Sequence, residues 1–369
     1  MADALAIAEL RSHAAAKSTI LQRGVAFNKW SAFCEARGCD PIRRDGMTPF
    51  NLNLAEAFIA DLTITQGLQG DTAKKYLLAV GQAHKAERLP NPVDTSRLTG
   101  DWTLRQAVQA GLNVAPAGGN KRVGFDAQHV SSLLQSSQFR GNSRPALTYS
   151  ALASVSFLCL ARAQMFTTAV ADEFDALKQV TRGDVTITQR AHGGASVSIF
   201  LPAGKANPNG RELVCESTGH SICAASDIVR LLAATEGMSL SGPLFTNPQG
   251  GPLTYRQWYT VLRKAVLEIG LSPERYGTHS FRRGGATALY NQTGDIELVE
   301  SVGGWSHNSG TAWTYVEVDL QRLAAQASLI VTADPVQLPA RVKLVQREKR
   351  LREEAEQMGG QPQRRRGGK

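Results

Sequence analysis

The chain has 369 residues, a length that suggests two domains, and 42% of them are hydrophobic, enough to build substantial cores. No apolar run approaches the roughly 18 residues of a membrane span, and the N-terminal Met-Ala-Asp-Ala-Leu lacks the basic-then-apolar order of a secretory signal, so we expect no membrane partner. The formal net charge of +9 favours a polyanionic partner without identifying it.

The five cysteines are scattered along the chain without the paired spacing of a zinc site. Cys34 and Cys39 lie near each other, but no second pair completes a four-ligand set. We interpret the cysteines as reduced, mostly buried thiols of an intracellular protein, and we predict no metal site.

The N-terminal third has a helical pattern. Apolar residues recur at helical spacing from Ile20 to Cys34, and the segment stops at Arg37-Gly38. Thr48-Pro49 opens a second helix. One face of this helix is predicted to consist of Leu54, Phe58, Ile59 and Leu62.

A third helix is predicted to run as far as His84. Asp71 or Thr72 is its candidate N-cap, and Leu89-Pro90-Asn91-Pro92 closes it. We therefore predict an all-helical first domain over residues 1–113. Residues 114–124, which include Lys121 and Arg122, are small, flexible and basic, so we predict a linker. These two basic residues are candidate contacts to a phosphate backbone, although a solvated connector explains the composition equally well.

Residues 125–333 combine helices with two short strands. Strands are predicted at 185–188 and 197–200, and the turn-forming residues between Phe200 and Leu213 place Lys205 at or near a hairpin. Apolar spacing predicts helices near 126–130 and at 146–161, 224–234, 255–269 and 281–291. The predicted fold class is mainly α with a small antiparallel sheet (α+β). From Pro335 onward the chain carries ten Lys and Arg against four Asp and Glu, so residues 334–369 are predicted to be a basic, disordered tail.

The most informative motif is Thr278-His279-Ser280-Phe281-Arg282-Arg283, followed by Val302-Gly303-Gly304-Trp305 and then Tyr315. One helical turn can direct His279 and Arg282 to a single point. Cationic and donor groups that converge on one point suit a phosphate, and a tyrosine beside them suits a nucleophile. Such an assembly can cut a phosphodiester without metal and conserve the bond energy in a phosphotyrosyl link.

This spacing resembles the tyrosine recombinase, or phage integrase, family, whose catalytic segment reads H-x-x-R, then G-H or G-W, then a tyrosine. The Gly-Gly-Trp version looks most like Cre and the recombinases of crypton and DIRS-type mobile elements. The segment from Thr72 to Pro92 is similar to the helical, SAM-like core-binding domain of Cre-like recombinases. The resemblance implies a DNA-binding helical domain followed by a recombinase catalytic domain.

The resemblance assigns roles to the motif residues. Tyr315 would be the nucleophile, and the planar fork of Arg282 would bind two non-bridging phosphate oxygens. His279 would donate to the phosphate or exchange a proton with the tyrosine. Trp305 stands where many relatives have a second histidine, and its indole N–H can donate but cannot act as a base. Lys205 matches the hairpin lysine that protonates the departing 5′ oxygen.

Ten residues separate Trp305 from Tyr315, one more than is usual in the family, and Ser309-Gly310 can absorb the extra residue. His307 is a weaker candidate donor than Trp305. Tyr276 and Tyr290 lie on the wrong side of the Gly-Gly-Trp motif to be the nucleophile.

The first catalytic arginine of the family is harder to place. The apolar segment that begins at Phe157 ends in Arg162, but Met165 stands where the family has an acid. We infer an insertion around residues 164–175 and choose Arg162, with Arg182 as the alternative.

Further DNA contacts are predicted on both domains. Lys74 and Lys75 lie on the helix that resembles a groove-facing helix of Cre-like domains, and His84 or Lys85 lies further along it. Arg283 is a candidate backbone contact because consecutive helix positions do not share a face. Ordinary surface charge explains the lysines equally well.

We therefore interpret the chain as a site-specific DNA recombinase that works through a 3′-phosphotyrosyl intermediate in integration, excision or transposition. The resemblance implies double-stranded DNA as the partner, a homotetramer on two recombination sites, and a C-terminal helix (320–329) that packs on a neighbour. It implies no metal, nucleotide cofactor or small-molecule substrate, and a DNA-associated, intracellular location in a nucleus or nucleoid. The alternatives are a catalytically weakened DNA-binding relative and a type IB topoisomerase.

Overall fold

The structure, a computed structural model, describes residues 17–96, 98–114, 122–170, 173–190, 193–203 and 209–317. Lys121, Lys205, the predicted C-terminal helix and the predicted tail lie outside these residues. The chain divides into two compact units, residues 1–121 and 122–369. It is mostly helical with one small antiparallel sheet, which confirms the predicted fold class. None of the helices that the structure describes is long and apolar enough to cross a membrane.

The described part of the first unit is helical. Its elements are α1 (Lys17–Glu35), α2 (Pro49–Ala60), a π-helical turn (Asp61–Thr65), α3 (Gly70–Ala86) and α4 (Trp102–Val114). Thr48 caps α2 by accepting a hydrogen bond from the Asn51 backbone N–H, and Pro49 occupies the first helical position, where no N–H is needed.

Aromatic side chains from α1 and α2 form the centre of the first core. The Phe58 ring lies 5.2 Å from Trp30 and 5.1 Å from Phe33, measured between ring centroids. All four residues of the predicted α2 face are buried, so that prediction is confirmed. Ile20 and Val25 are about half exposed, so the apolar pattern of α1 does not mark a buried face over its first turns.

The start of α3 differs from its prediction. The helix begins at Gly70, before the predicted caps Asp71 and Thr72. A Cβ at position 70 would lie 2.5 Å from the Leu112 Cα of α4, so only a glycine permits this approach. Contact with α4, and not a side-chain cap, therefore accounts for this end of the helix.

The second unit combines a small antiparallel sheet with helices. Strands β1 (Val185–Gln189), β2 (Ala195–Leu201) and β3 (Arg211–Glu216) pair antiparallel in that order, with Val197 opposite Ile187 and Cys215. The helices are α5 (Ala127–Gln135), α6 (Arg144–Leu158), α7 (Ala224–Ala234), α8 (Tyr255–Glu268), α9 (Thr278–Thr293) and α10 (Ile296–Gly303). Short 3-10 helices occur at Ala163–Met165, Arg182–Asp184 and Ala312–Thr314.

Helix α6 lies at the centre of the second unit. It is buried from Ala146 to Phe157 and packs against α7 and α9. Trp258 of α8 is fully buried and stacks on Phe281 of α9, with ring centroids 6.1 Å apart. This packing fixes α9, the helix of the H-x-x-R motif, against the core.

Candidate active site

Helix α9 begins three residues earlier than the sequence predicts. The backbone N–H of Gly277 donates to the Ser280 side chain at 3.0 Å, and the helix starts at Thr278. His279 and Arg282 therefore lie one turn apart on the same helix, as the motif requires.

Two glycines let α9 lie close to its neighbours. A Cβ on Gly284 would overlap the carbonyl oxygen of Phe125, and a Cβ on Gly285 would overlap that of Phe157 at the end of α6. Both glycines are buried. The pair therefore places α9 in backbone contact with two separate segments, which fixes the position of Arg282 relative to the end of α6.

Arg282 is completely buried and bound by backbone carbonyls. Its Nη1 donates to the Leu160 carbonyl oxygen, and its Nη2 donates to that of Gly303 at 3.0 Å. Its guanidinium carbon lies 3.8 Å from the centroid of the Trp305 ring and 5.3 Å from that of Tyr315. The structure thus brings three predicted site residues, Arg282, Trp305 and Tyr315, into direct contact distance.

The charge of Arg282 is poorly solvated. Burial, followed by the charge of Arg162, lowers its pKa below the ordinary value, and Arg211 acts in the same direction. The phenol of Tyr315 has the opposite effect, through its charge and through a side-chain hydrogen bond. An ionised tyrosine would therefore be stabilised beside this guanidinium.

An unusual backbone conformation aims one of the carbonyls at Arg282. Helix α6 ends at Leu158, and the buried Leu160 adopts a left-handed conformation with φ of 49°. Such residues cost conformational energy and cluster at functional sites. The carbonyl that Leu160 presents is the one that accepts from Arg282.

Arg162 follows this turn and lies within electrostatic reach of the site. Its charge lowers the pKa of His279, Arg282 and Arg211. The alternative, Arg182, is buried elsewhere and donates to the Thr235 side chain after α7. Arg162, and not Arg182, is among the charges that act on His279 and Arg282.

His279 lies in a strongly positive environment. Burial lowers its pKa most, and the charges of Arg162, Arg122, Arg282 and Arg283 lower it further. The neutral imidazole is favoured in the free protein, which leaves a ring nitrogen able to accept a proton. The predicted proton exchange with a tyrosine agrees with that state.

The backbone of the Tyr315 segment is attached to α9. The Thr287 hydroxyl donates to the Tyr315 carbonyl oxygen at 3.3 Å and accepts from the Glu317 backbone N–H at 3.0 Å. Asn308 and Gly310 have positive φ values of 63° and 70°, and these turns accommodate the extra residue of the segment. Thr287 was missed because a threonine inside a helix carries no distinctive sequence signal.

Trp305 packs within the site. Its Nε1 is buried and has no hydrogen-bond partner in the described part of the chain. Its ring centroid lies 5.0 Å from that of Tyr315. His307 instead lies beside acids, 3.3 Å from Glu300 and 3.8 Å from Glu297, so it has no place next to Arg282.

Tyr276 and Tyr290, which the sequence set aside as nucleophiles, belong to aromatic packing. Tyr276 stacks on Phe125 with ring centroids 4.9 Å apart, and Tyr290 lies edge-on to Trp313 at 5.1 Å. Arg283 forms an ion pair with Glu317 at 3.4 Å. That pair adds a second attachment between α9 and the Tyr315 segment.

The other predicted DNA contacts are dispersed. Lys74 and Lys75 are exposed on α3 of the first unit, and Arg122 is exposed in the second. Of the two alternatives on this helix, His84 is fully buried and cannot contact DNA, whereas Lys85 is exposed. The Nε2 of His84 accepts from the Arg43 backbone N–H at 2.9 Å, and its Nδ1 lies 2.8 Å from the Val80 carbonyl oxygen.

Arg211 is a further basic residue of the site that sequence reasoning missed. It opens β3 and donates to the Val302 carbonyl oxygen at 3.3 Å. Burial lowers its pKa. Its position in the predicted hairpin segment could have indicated that it belongs to the site, but Lys205 was predicted instead. Within the described ranges, no group of three or more His, Cys, Asp or Glu residues could hold a metal ion.

The sequence of this region matches known proteins. Residues 223–322 match the profile of the phage integrase family. The tyrosine recombinase XerC of Halalkalibacterium halodurans is 36% identical over 94 residues, which cover 26% of this chain and 30% of that protein. The alignment thus spans less than a third of this curated relative.

Solved structures share the fold over a longer stretch. The XerH site-specific recombinase bound to a palindromic difH substrate superposes with a TM-score of 0.52 at 20% identity, over 75% of this chain and 69% of that one. The Tn1549 transposon integrase in complex with transposon right end DNA gives 0.54 at 13% identity, over 88% and 98%. Residues 223–322 are therefore similar to the phage integrase family, and the solved recombinase structures show that the likeness of fold extends over a longer part of the chain.

Proposed function

We propose that this protein is a site-specific DNA recombinase that cuts and rejoins double-stranded DNA through a covalent link to Tyr315. The observation that carries the proposal is the position of the Tyr315 ring, 5.3 Å from a buried guanidinium that is bonded to carbonyls and has no carboxylate partner among the described ion pairs. A guanidinium placed in this way stabilises the negative charge of a phenolate and of an attacked phosphate.

The proposed reaction begins with attack of the Tyr315 oxygen on the phosphorus of one strand. The phosphorus–oxygen bond to the 5′ oxygen breaks, a 3′-phosphotyrosyl link forms, and the strand leaves with a 5′ hydroxyl. His279, whose lowered pKa favours the neutral ring, accepts the phenolic proton. Arg162 and Arg282 stabilise the charge on the non-bridging oxygens, while Trp305 orients the guanidinium by stacking on it.

The remaining steps involve residues outside the described part of the chain and further molecules. Lys205 is proposed to protonate the leaving 5′ oxygen. The 5′ hydroxyl of a second duplex then attacks the phosphotyrosyl bond and restores the tyrosine. This exchange requires two sites, and we propose a homotetramer on two DNA sites in a DNA-associated, intracellular setting. The solved neighbours include complexes of recombinases with DNA, which supports the proposed partner.

Contacts to the flanking DNA are proposed for five basic residues. Arg283 and Arg122 adjoin the site, Lys74 and Lys75 are exposed on α3, and Lys121 precedes Arg122. Such contacts position a protein on the DNA backbone but do not read the base sequence.

The proposal is tested by trapping the covalent intermediate. Purified protein is incubated with a pool of nicked, random-sequence duplexes, from which a short fragment is lost after cleavage. Adducts that survive denaturation are isolated, and the attached strand is sequenced. We expect a tyrosine-linked 3′ phosphate at a defined DNA sequence, with no adduct from Tyr315→Phe.

Tyr290→Phe is the matched control, because Tyr290 is a partly buried tyrosine that packs on Trp313 in the same unit. It should form the adduct at the wild-type level. Tight DNA binding without any adduct would overturn the proposed chemistry and indicate a DNA-binding relative. Adduct formation with plasmid relaxation, but without products that join two duplexes, would indicate a topoisomerase.

A further inference from the structure

Arg211 and Arg282 hold neighbouring peptide groups of one turn. Arg211 donates to the Val302 carbonyl oxygen at 3.3 Å, and Arg282 donates to the next one, that of Gly303, at 3.0 Å. A Cβ on Gly304 would overlap the Arg211 guanidinium, so the side chain lies directly against the turn that leads to Trp305. Arg211 is therefore fixed in place within the candidate active site.

Both guanidinium groups have buried donors for which the described residues provide no acceptor. Nε and Nη2 of Arg211 are buried and have no hydrogen-bond partner in the described ranges, and the same is true of Nε of Arg282. A buried N–H without an acceptor is costly, and each such group in a native protein requires an explanation. Unmatched donors on two adjacent arginines indicate that the acceptor is a ligand.

The charge around these donors specifies the kind of ligand. The charge of Arg162 acts on both Arg211 and Arg282, and Arg282 in turn experiences Arg211. The ion pairs of the described residues include no carboxylate bonded to Arg211 or Arg282. Three neighbouring arginines, none of them in an ion pair of the described residues, suit an anion that has several oxygens, such as a phosphodiester.

Resting on the proposed function, we propose that Arg211 is an additional catalytic residue that donates, through Nε and Nη2, to a non-bridging oxygen of the phosphate attacked by Tyr315. It makes and breaks no covalent bond. Its preset donors stabilise the extra negative charge that develops on the phosphate during attack, and the Val302 carbonyl keeps them in position.

The test compares single-turnover cleavage by wild-type protein, Arg211→Ala and Arg211→Lys on the duplex selected in the trapping experiment. Arg190→Ala is the matched control, since Arg190 directly follows β1 and the substitution removes one positive charge at an exposed ion pair with Glu216. We expect Arg211→Ala to slow cleavage about 10²- to 10³-fold, the effect typical of one lost donor. The cleavage rate of Arg211→Lys should lie between those of wild type and Arg211→Ala, and the rate of Arg190→Ala should equal that of wild type.

A second substrate separates contact with the phosphate from support of the turn. In a methylphosphonate duplex, one charged non-bridging oxygen at the cleaved position is replaced by a methyl group. If Arg211 neutralises that charge, the gap between wild type and Arg211→Ala should shrink at least tenfold. An unchanged gap would overturn direct contact, because a displaced turn would impair both substrates equally.

The outcomes remain distinguishable from failure of the proposed function. Absence of any adduct with wild-type protein would overturn the proposed function, and this inference with it. A wild-type adduct together with normal cleavage by Arg211→Ala would overturn the inference alone. If Arg211→Ala does not fold, as judged by circular dichroism, Arg211→Gln and Arg211→Lys on the same two substrates decide the question.

Discussion

Replacement of Arg282 by lysine is the sharpest test of the candidate active site. Lysine keeps the charge but has no planar fork, so one ammonium cannot satisfy the carbonyls of Leu160 and Gly303 together as the guanidinium does. One buried carbonyl left without a donor costs about 1–3 kcal/mol. Loss of the stacked guanidinium over Trp305 costs about 0.5–2 kcal/mol more.

We therefore expect Arg282→Lys to lower the free energy of unfolding by about 1.5–5 kcal/mol, measured by urea denaturation. The defect in cleavage should be larger than this loss explains. Under conditions in which the variant is folded, loss of one preset donor should slow adduct formation about 10²- to 10³-fold, equivalent to about 2.7–4 kcal/mol of transition-state stabilisation.

The assay is single-turnover adduct formation on a nicked duplex, with circular dichroism to establish that the variant is folded. Arg263→Lys is the control, because Arg263 forms an exposed ion pair with Glu274 and takes no part in the site. Cleavage by Arg282→Lys at the wild-type rate would refute the reasoning, since the planar, doubly bonded guanidinium would then be dispensable.

Three further predictions concern α9. Gly284→Ala should lower the free energy of unfolding by about 3 kcal/mol or more, because the new Cβ overlaps the Phe125 carbonyl oxygen. The control is Gly24→Ala, whose Cβ meets no atom within 4 Å and should cause no loss of stability. Equal effects of the two substitutions in urea titrations would contradict the packing argument. Thr287→Val should slow adduct formation about 5- to 30-fold, because both backbone attachments of the Tyr315 segment disappear; an unaltered rate would show that these attachments are irrelevant. For His279 the folded-state pKa lies below the unfolded one, so the unfolded chain binds the proton more readily and stability falls as the pH drops below about 6.5. His279→Gln should lose this pH-dependent part of the free energy of unfolding, which cannot exceed about 1.4 kcal/mol per pH unit for one proton. The measurement is a series of urea titrations at several pH values. Parallel plots of the free energy of unfolding against pH for wild type and His279→Gln would be evidence against this prediction.

Local pattern was sufficient to predict most elements of the second unit. The helix Ala224–Ala234 has its predicted bounds, and the two predicted strands lie within β1 and β2. The spacing of His279 and Arg282 likewise predicted that both would lie on one turn. These features depend on residues close in sequence, where helical or strand periodicity acts directly.

Features made by distant contacts could not be predicted. The carbonyl partners of Arg282 come from Leu160 and Gly303, 122 and 21 residues away. The burial of His84 depends on a backbone N–H 41 residues away. The position of Arg211 depends on a turn 91 residues later. A sequence motif identifies candidate residues for the chemistry, but it does not show which backbone groups hold them.

The two carbonyl partners of Arg282 also determine when during synthesis the site can form. The first is made long before the arginine, and the second is made 21 residues after it. A nascent chain that stops short of Gly303 therefore has an arginine that is only half anchored, with neither the indole nor the phenol above it. The proposed ability to break a DNA strand should therefore arise late in translation, after the scaffold around Arg282 has already been made.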